Sequence, residues 1–314
     1  MKDIKNHTTL TDNLVSWWHL GDGGGVRYDQ HGSNNLTDHN SVGYEKGLHG
    51  NRASFDKDNS ETLNIPFSNT GLFVAGQHVS IAGWFNLADV SVSNYIISLG
   101  SATPATQTCE LRYDGGDDPK KIEIRYSLSN TNSPSSNFNV DLSADTDYFY
   151  CLKISSAGLV SILIKDTLGN TLLDSSEQKS GGIVLIPLEN YNFSLAARNN
   201  STNVNDNFQT MKQQSLGIWS GKLLSDDEID DLYNYGVPLL YDSSLDFDTH
   251  TSLKSSLVFW NNLNSRLDVY SDSSDNNHDL VLLPAVGNTV HNTLPARKGP
   301  NLSLIHISEP TRPY

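Results

Sequence analysis

Apolar and polar residues alternate with period two along most of the chain after about residue 10. Val79, Ile81, Gly83, Phe85 and Leu87 interleave with Ser80, Ala82, Trp84 and Asn86; Ile122, Ile124 and Tyr126 interleave with Lys121, Glu123 and Arg125; Val160, Ile162 and Ile164 interleave with Ser161 and Leu163. Successive strand side chains point to opposite faces, so the pattern predicts strands with one buried face. Clusters of Gly, Asn, Asp, Ser and Pro at 21–25, 114–119, 129–137, 180–182 and 199–207 separate these runs. Such turn chemistry, at this spacing, predicts an all-β sandwich. Glu110 and Glu123, isolated at alternating positions, are expected to face solvent.

One segment departs from the period. Ser225-Asp226-Asp227-Glu228 can form a capping box, acidic residues suit the first turn, and Gly236 followed by Pro238 stops the helix. Ile229, Leu232 and Tyr233 stand at helical spacing and would dock this short helix onto the sandwich.

A motif also recurs. Leu14-Val15-Ser16-Trp17-Trp18-His19-Leu20 returns as Leu257-Val258-Phe259-Trp260-Asn261-Asn262-Leu263, which predicts tandem domains with the second copy cut short. The expected organisation is a disordered 1–10, a domain over 11–240, a linker over 241–252, and the start of a second domain over 253–301. Residues 302–314 begin LSLIHISEPTR, which resembles the in-frame translation of a sequencing-library adapter, and are set aside from fold and function.

Four landmarks follow in a fixed order: LVSWWHL at 14–20, KGLHGNRASFD at 46–56, VSIAGWFN at 79–86 and LGIWSGKLLSDDEIDDLYN at 216–234. Together they resemble a laminin-G-like domain of the concanavalin A-like lectin/glucanase superfamily. The resemblance implies a jelly-roll sandwich of two packed antiparallel sheets, closed here by one short C-terminal helix. It also implies that the first strand lies beside the last, with 14–20 next to 215–219. Gly83 is expected to leave space beside the ring of Trp84; Trp18, Leu20, Phe55, Trp84 and Trp219 belong to the expected core, and Trp17, repeated as Trp260, to packing.

Composition narrows the partners. Lys plus Arg number 21 against 36 Asp plus Glu, a formal charge of -15, so nucleic acid and anionic membrane, which need a basic face, are poor partners. Apolar residues make up 37% of the chain without a bilayer-length run, so no membrane insertion is expected. The N-terminus MKDIKNHTTLTDN lacks the apolar region of a secretory signal, and a place outside the cell or on a virion surface would need another route. The two cysteines, Cys109 and Cys151, are either buried thiols or one bridge.

Candidate chemistry is sparse. Hydrolases of the superfamily carry E-x-D-x-x-E on a strand; the near match Glu228-Ile229-Asp230-Asp231 lacks the final Glu and is explained by capping, so no enzyme is expected. A sugar site needs an aromatic plane beside polar groups, and Tyr28 with Asp29, and Tyr113 with Asp114, are the candidates. Ca2+ wants about six to eight oxygens, for which Asp114, Asp117 and Asp118 are the candidates, with Asp22 and Asp29 forming a second acidic loop. The resemblance implies calcium at the loop rim, yet the Asp usual before the last strand is replaced by Gln214. The expected function is a non-catalytic module binding a glycan or another surface ligand. Alternatives are a structural component of a virion or appendage, and an accessory domain of a larger glycan-active enzyme with further domains beyond the second copy.

Overall fold

The computed structural model describes residues 3–239, apart from 67–70, 75, 101–106, 127–134, 180–191 and 200–204, together with 269–270 and 280–281. The chain divides into two units, 1–243 and 244–314. In the second, Val269–Tyr270 pairs antiparallel with Leu280–Val281. The repeated motif at 257–263, the 241–252 linker and the segment 302–314 lie outside the described residues.

The first unit opens with β1 (Leu14–Trp18), β2 (Val26–Arg27), β3 (Leu36–His39), β4 (Gly43–Lys46), β5 (Asn51–Phe55) and β6 (Thr62–Pro66). It continues with β7 (Val79–Leu87), β8 (Ser93–Gly100), β9 (Gln107–Asp114), β10 (Lys121–Tyr126), β11 (Ser135–Asn139) and β12 (Asp147–Ile154). It ends with β13 (Leu159–Asp166), β14 (Thr171–Gln178), β15 (Asn192–Leu195), β16 (Arg198–Asn199), β17 (Asn205–Asp206), β18 (Met211–Ser220) and the helix α1 (Asp226–Tyr233). One sheet runs β14-β13-β12-β7-β18-β5-β4 with β1 also on β18, and the second runs β11-β10-β9-β8-β15-β6-β3-β2. This is the all-β sandwich that the alternation predicted, in the jelly-roll form that the resemblance implied. β1 pairs with β18 as implied, through Leu14 with Trp219, Ser16 with Ile218, Trp17 with Gly217 and Trp18 with Leu216.

Between the sheets, Ile81, Phe85, Tyr150 and Leu152 of the first meet Cys109, Leu111, Tyr113, Ile122, Ile124 and Phe193 of the second in one buried cluster. Fully burying each such side chain contributes about 1.5–3 kcal/mol. The expectation of one buried face fails for β7, where every residue is buried. Its other face, with Ala82 and Trp84, joins Trp17, Phe149, Cys151, Trp219, Ile229, Leu232 and Tyr233 in a second apolar cluster. The expected helix supplies the cover: Trp84 stacks on Tyr233 with centroids 5.9 Å apart.

The structure bears on three further expectations. In the described part of the N-terminal segment, Ile4 and Leu10 bury in that second cluster and the Trp219 indole N–H donates to the Leu10 carbonyl at 2.7 Å. Gly83 leaves room for the backbone beside it, since an added Cβ would sit 3.2 Å from the Ser215 carbonyl oxygen. Cys109 and Cys151 are free and buried, Cys109 between the sheets and Cys151 under the helix, so one sheet separates them. Burial pushes both thiols up to about 12, which keeps them protonated and unreactive.

The α1 cap forms as expected, with the Glu228 N–H donating to Ser225 Oγ and the Glu228 carboxylate accepting from the Ser225 N–H at 2.9 Å. The helix ends earlier than Gly236, at Asn234 in the left-handed conformation. Gln214 ties the glycine turn between β4 and β5 to β18: its amide donates to the His49 carbonyl and, at 3.2 Å, to that of Asn51, while Oε1 accepts from Leu48 N–H at 3.2 Å.

Candidate functional site

The structure separates the two candidate sugar pairs. Tyr113 is fully buried between the sheets, where its hydroxyl oxygen accepts from the Leu142 N–H at 3.3 Å. It shows no face to a ligand. The parity that sets it in step with Cys109 and Leu111 already pointed inward. Asp114, on the opposite face of β9, is buried and accepts from Ser93 Oγ and Arg112 Nη2, each at 2.8 Å.

The calcium candidates do not converge. Asp114 is committed to Arg112, Asp117 pairs with Lys121, and Asp118 is exposed. Among the described residues no group of three or more His, Cys, Asp or Glu is placed to hold a metal ion. Asp114, Asp117 and Asp118 thus do not share one site.

Asp29 is buried rather than open to a ligand. Its Oδ1 accepts from the N–H groups of Trp17 at 3.0 Å, His31 at 3.1 Å and Gly32 at 3.0 Å, and its Oδ2 accepts from that of Asn34 at 3.0 Å. With Gln30 N–H donating to the Trp17 carbonyl at 2.8 Å, the 29–34 turn covers the outer edge of β1.

Glu110 and Glu123 do not face solvent. Both are buried on β9 and β10 amid three guanidinium groups. Arg112 donates to Glu123, Arg125 Nε donates to Glu123 at 2.8 Å, and Arg125 and Arg198 lie 3.5 and 3.6 Å from Glu110. Arg112 and Arg198 each stand 5.8 Å from the centroid of the Tyr95 ring. Burial pushes the Glu110 carboxyl above its ordinary range against the pull of Arg125 and Arg198. Burial acts likewise on Glu123, but hydrogen bonds and charge from Arg125 and Arg112 outweigh it and hold that carboxyl low. Opposed shifts are what an acid–base pair uses. Here both groups are closed off and held by arginines, so the arrangement serves to pair charges on a covered sheet face.

What remains at the surface is a rim around Tyr28. Alternation turns Arg27 and Asp29 inward and leaves Tyr28 60% exposed. Tyr44 on the edge strand β4 is 58% exposed, and its ring lies against Gly23, where an added Cβ would sit 3.4 Å from Cε1. Asp22 joins the two: its Oδ2 accepts from the Tyr28 N–H at 3.0 Å, and Gly23, Gly24 and Gly25 follow it as an exposed turn. Arg27 is sealed beneath, with Nη2 donating to the Val42 carbonyl at 2.9 Å and its charge facing Asp38 and Asp22. Burial lowers the pKa of this guanidinium against those two carboxylates. The sequence reading found Tyr28 and Asp22 but missed Tyr44. The missed signal was an aromatic residue beside a glycine on a four-residue strand, where an edge offers no second sheet neighbour to cover a ring.

The sequence matches no family model. It also matches no curated protein. The fold does have solved counterparts. The binding domain of Paraclostridial Mosquitocidal Protein 1 superposes with a TM-score of 0.53 at 11% identity, over 71% of this chain and 52% of that one. The receptor binding domain of botulinum neurotoxin mosaic serotype C/D gives a TM-score of 0.50 at 13% identity, over 71% and 51%. The botulinum neurotoxin serotype G binding domain gives 0.50 at 14% identity, over 70% and 50%. The chain thus spans about half the length of each, and at these identities the likeness is one of fold. The first unit is a jelly-roll β-sandwich built like these binding domains.

Proposed function

We propose that the first unit is a non-catalytic recognition module of the laminin-G-like kind, taking a glycan or another surface-displayed ligand at the Tyr28–Tyr44 rim. The observation that carries this reading is the pair of exposed tyrosines flanking an exposed glycine turn with a carboxylate at its root. Sugar C–H faces stack on aromatic planes while hydroxyls seek fixed polar partners, and this rim offers both. The fold-level likeness to binding domains supports the same reading. The module would work where its ligand is displayed, outside the cell or on a virion surface. A second copy would add avidity, since linked weak sites reinforce one another.

The test is a glycan array probed with the full chain, with calcium and again with chelator. Binding that survives chelation and falls by about tenfold or more in Tyr28→Ala and Tyr44→Ala is expected, as for a lost aromatic anchor. Silence on the array under both conditions would overturn the glycan reading.

A further inference from the structure

At the other end of β1 from the rim lies a groove of about 410 Å³, lined by Asn13, Leu14, Val15, Gly71, Val74, Gln77, Ser220 and Gly221. That volume lies within the range of small-molecule sites. Every one of these residues is uncharged. Such a lining contrasts with a chain of formal charge -15.

Three segments assemble the groove. Asn13 enters β1 in the left-handed region at φ 59°, and its carbonyl accepts from the Ser220 N–H at 3.0 Å, which fixes it beside the end of β18. Gly221 follows at φ 88° and donates to the His78 carbonyl at 2.7 Å, which brings Gln77 alongside. Two side-chain amides thereby converge: a point one Cβ above Gly221 lies 3.7 Å from Gln77 Oε1 and 3.8 Å from Asn13 Oδ1. A third polar group, Ser220 Oγ, is a buried atom without a hydrogen-bond partner. Val15 and Val74 give the groove apolar surface, and Val74 is 48% exposed. The nearby cation Lys222 is turned away, with Nζ donating to the Thr9 carbonyl and to Glu228, each at 2.6 Å.

We infer that this groove is a second binding site, for a single uncharged sugar residue. Each primary amide presents donors and an acceptor, so Asn13 and Gln77, whose oxygens converge above Gly221, match vicinal hydroxyls that must both give and accept. The valines match the C–H face of the ring. A carboxylate or sulfate would meet no counter-ion in the lining and would be stripped of water without return. The site is separate from the rim and does not need the rim to bind anything.

Ligand-detected NMR on the full chain tests this, using methyl glucoside, methyl galactoside and methyl mannoside as uncharged probes and a uronic acid as the charged one. At least one uncharged probe should show saturation transfer, and the uronic acid should show about tenfold less. In a Tyr28→Ala, Tyr44→Ala background, which removes any signal from the rim, saturation transfer should persist, and there Val74→Trp, at an exposed position, should abolish it by filling the groove. Gln77→Ala in the same background should weaken binding about fivefold. If Val74→Trp fails to fold by circular dichroism, Gln77→Ala decides alone. No signal from any uncharged probe, a signal untouched by the groove variants, or equal binding of the uronic acid would overturn the inference. Signal lost only in the tyrosine variants would overturn it while leaving the rim as a sugar site.

Discussion

Asp29 shows how one side chain takes the place of a strand. Its carboxylate accepts from the backbone N–H groups of Trp17, His31, Gly32 and Asn34, and so closes an edge that would otherwise expose unpaired donors. Charge-assisted bonds of this kind contribute about 1.5–3 kcal/mol each when broken singly. Asp29→Ala should therefore lower stability to chemical denaturation by roughly 3 kcal/mol or more, whereas an equal loss of binding with intact stability would return Asp29 to the ligand site. From sequence, Tyr28-Asp29 and Tyr113-Asp114 are the same dipeptide. Which side chain of each pair is exposed depends on strand parity: Tyr28 points out and Asp29 in, whereas Tyr113 enters the core and Asp114 meets Arg112.

At the scale of elements, α1 and the glycine turn before β5 link the fold to pH. Burial works against the Glu228 charge, but bonds from Lys222 and the Ser225 N–H prevail and bring its pKa from 4.5 down to about 2. A carboxyl depressed on folding contributes stability that is complete above the unfolded value and is lost as pH falls from about 4.5 towards 2. Glu228→Gln should thus cost about 1–2 kcal/mol at neutral pH and flatten that acid limb. An unchanged slope below pH 4.5 in denaturant melts would contradict the cap's charge as its origin. His19, which follows β1 and lies against the glycine turn at Gly50, acts in the preceding window. Burial, then His49, bring its imidazole from 6.5 down to about 4, against Asp22 and a bond from the His49 backbone. The unfolded chain takes up this proton first, so stability falls as pH drops from about 6.5 to 4. The contribution reaches at most about 3 kcal/mol. His19→Gln should remove that slope, and denaturation midpoints followed between pH 7 and 4 will show whether it does.

At the scale of the whole molecule, the second apolar layer separates what could be read from what could not. The alternation in β7, β10 and β13 and the capped helix were legible because they follow from local period and caps, whereas the β1–β18 pairing was what the resemblance implied. The outer cover was not, because nothing local in Ile4 or Leu10 says that these residues pack on Trp17, Trp84 and Trp219. The same limit applies to the buried charges. Glu110 and Glu123 read as isolated solvent-facing residues, and only adjacency on β9 and β10, with Arg112 and Arg125 beside them and Arg198 reaching in from β16, makes them a closed network.

Sequence alone determined that this chain builds strands with two distinct faces, where they turn, and where one helix starts, since side-chain period and capping chemistry act over a few residues. Only the tertiary structure decided which polar residues meet water. It buried Asp29, Asp114, Glu110 and Glu123, left Tyr28 and Tyr44 in the open, and brought Asn13, Gln77 and Ser220 to one groove. Exposure is a property of what packs opposite a residue, and in a sandwich that partner stands far away along the chain.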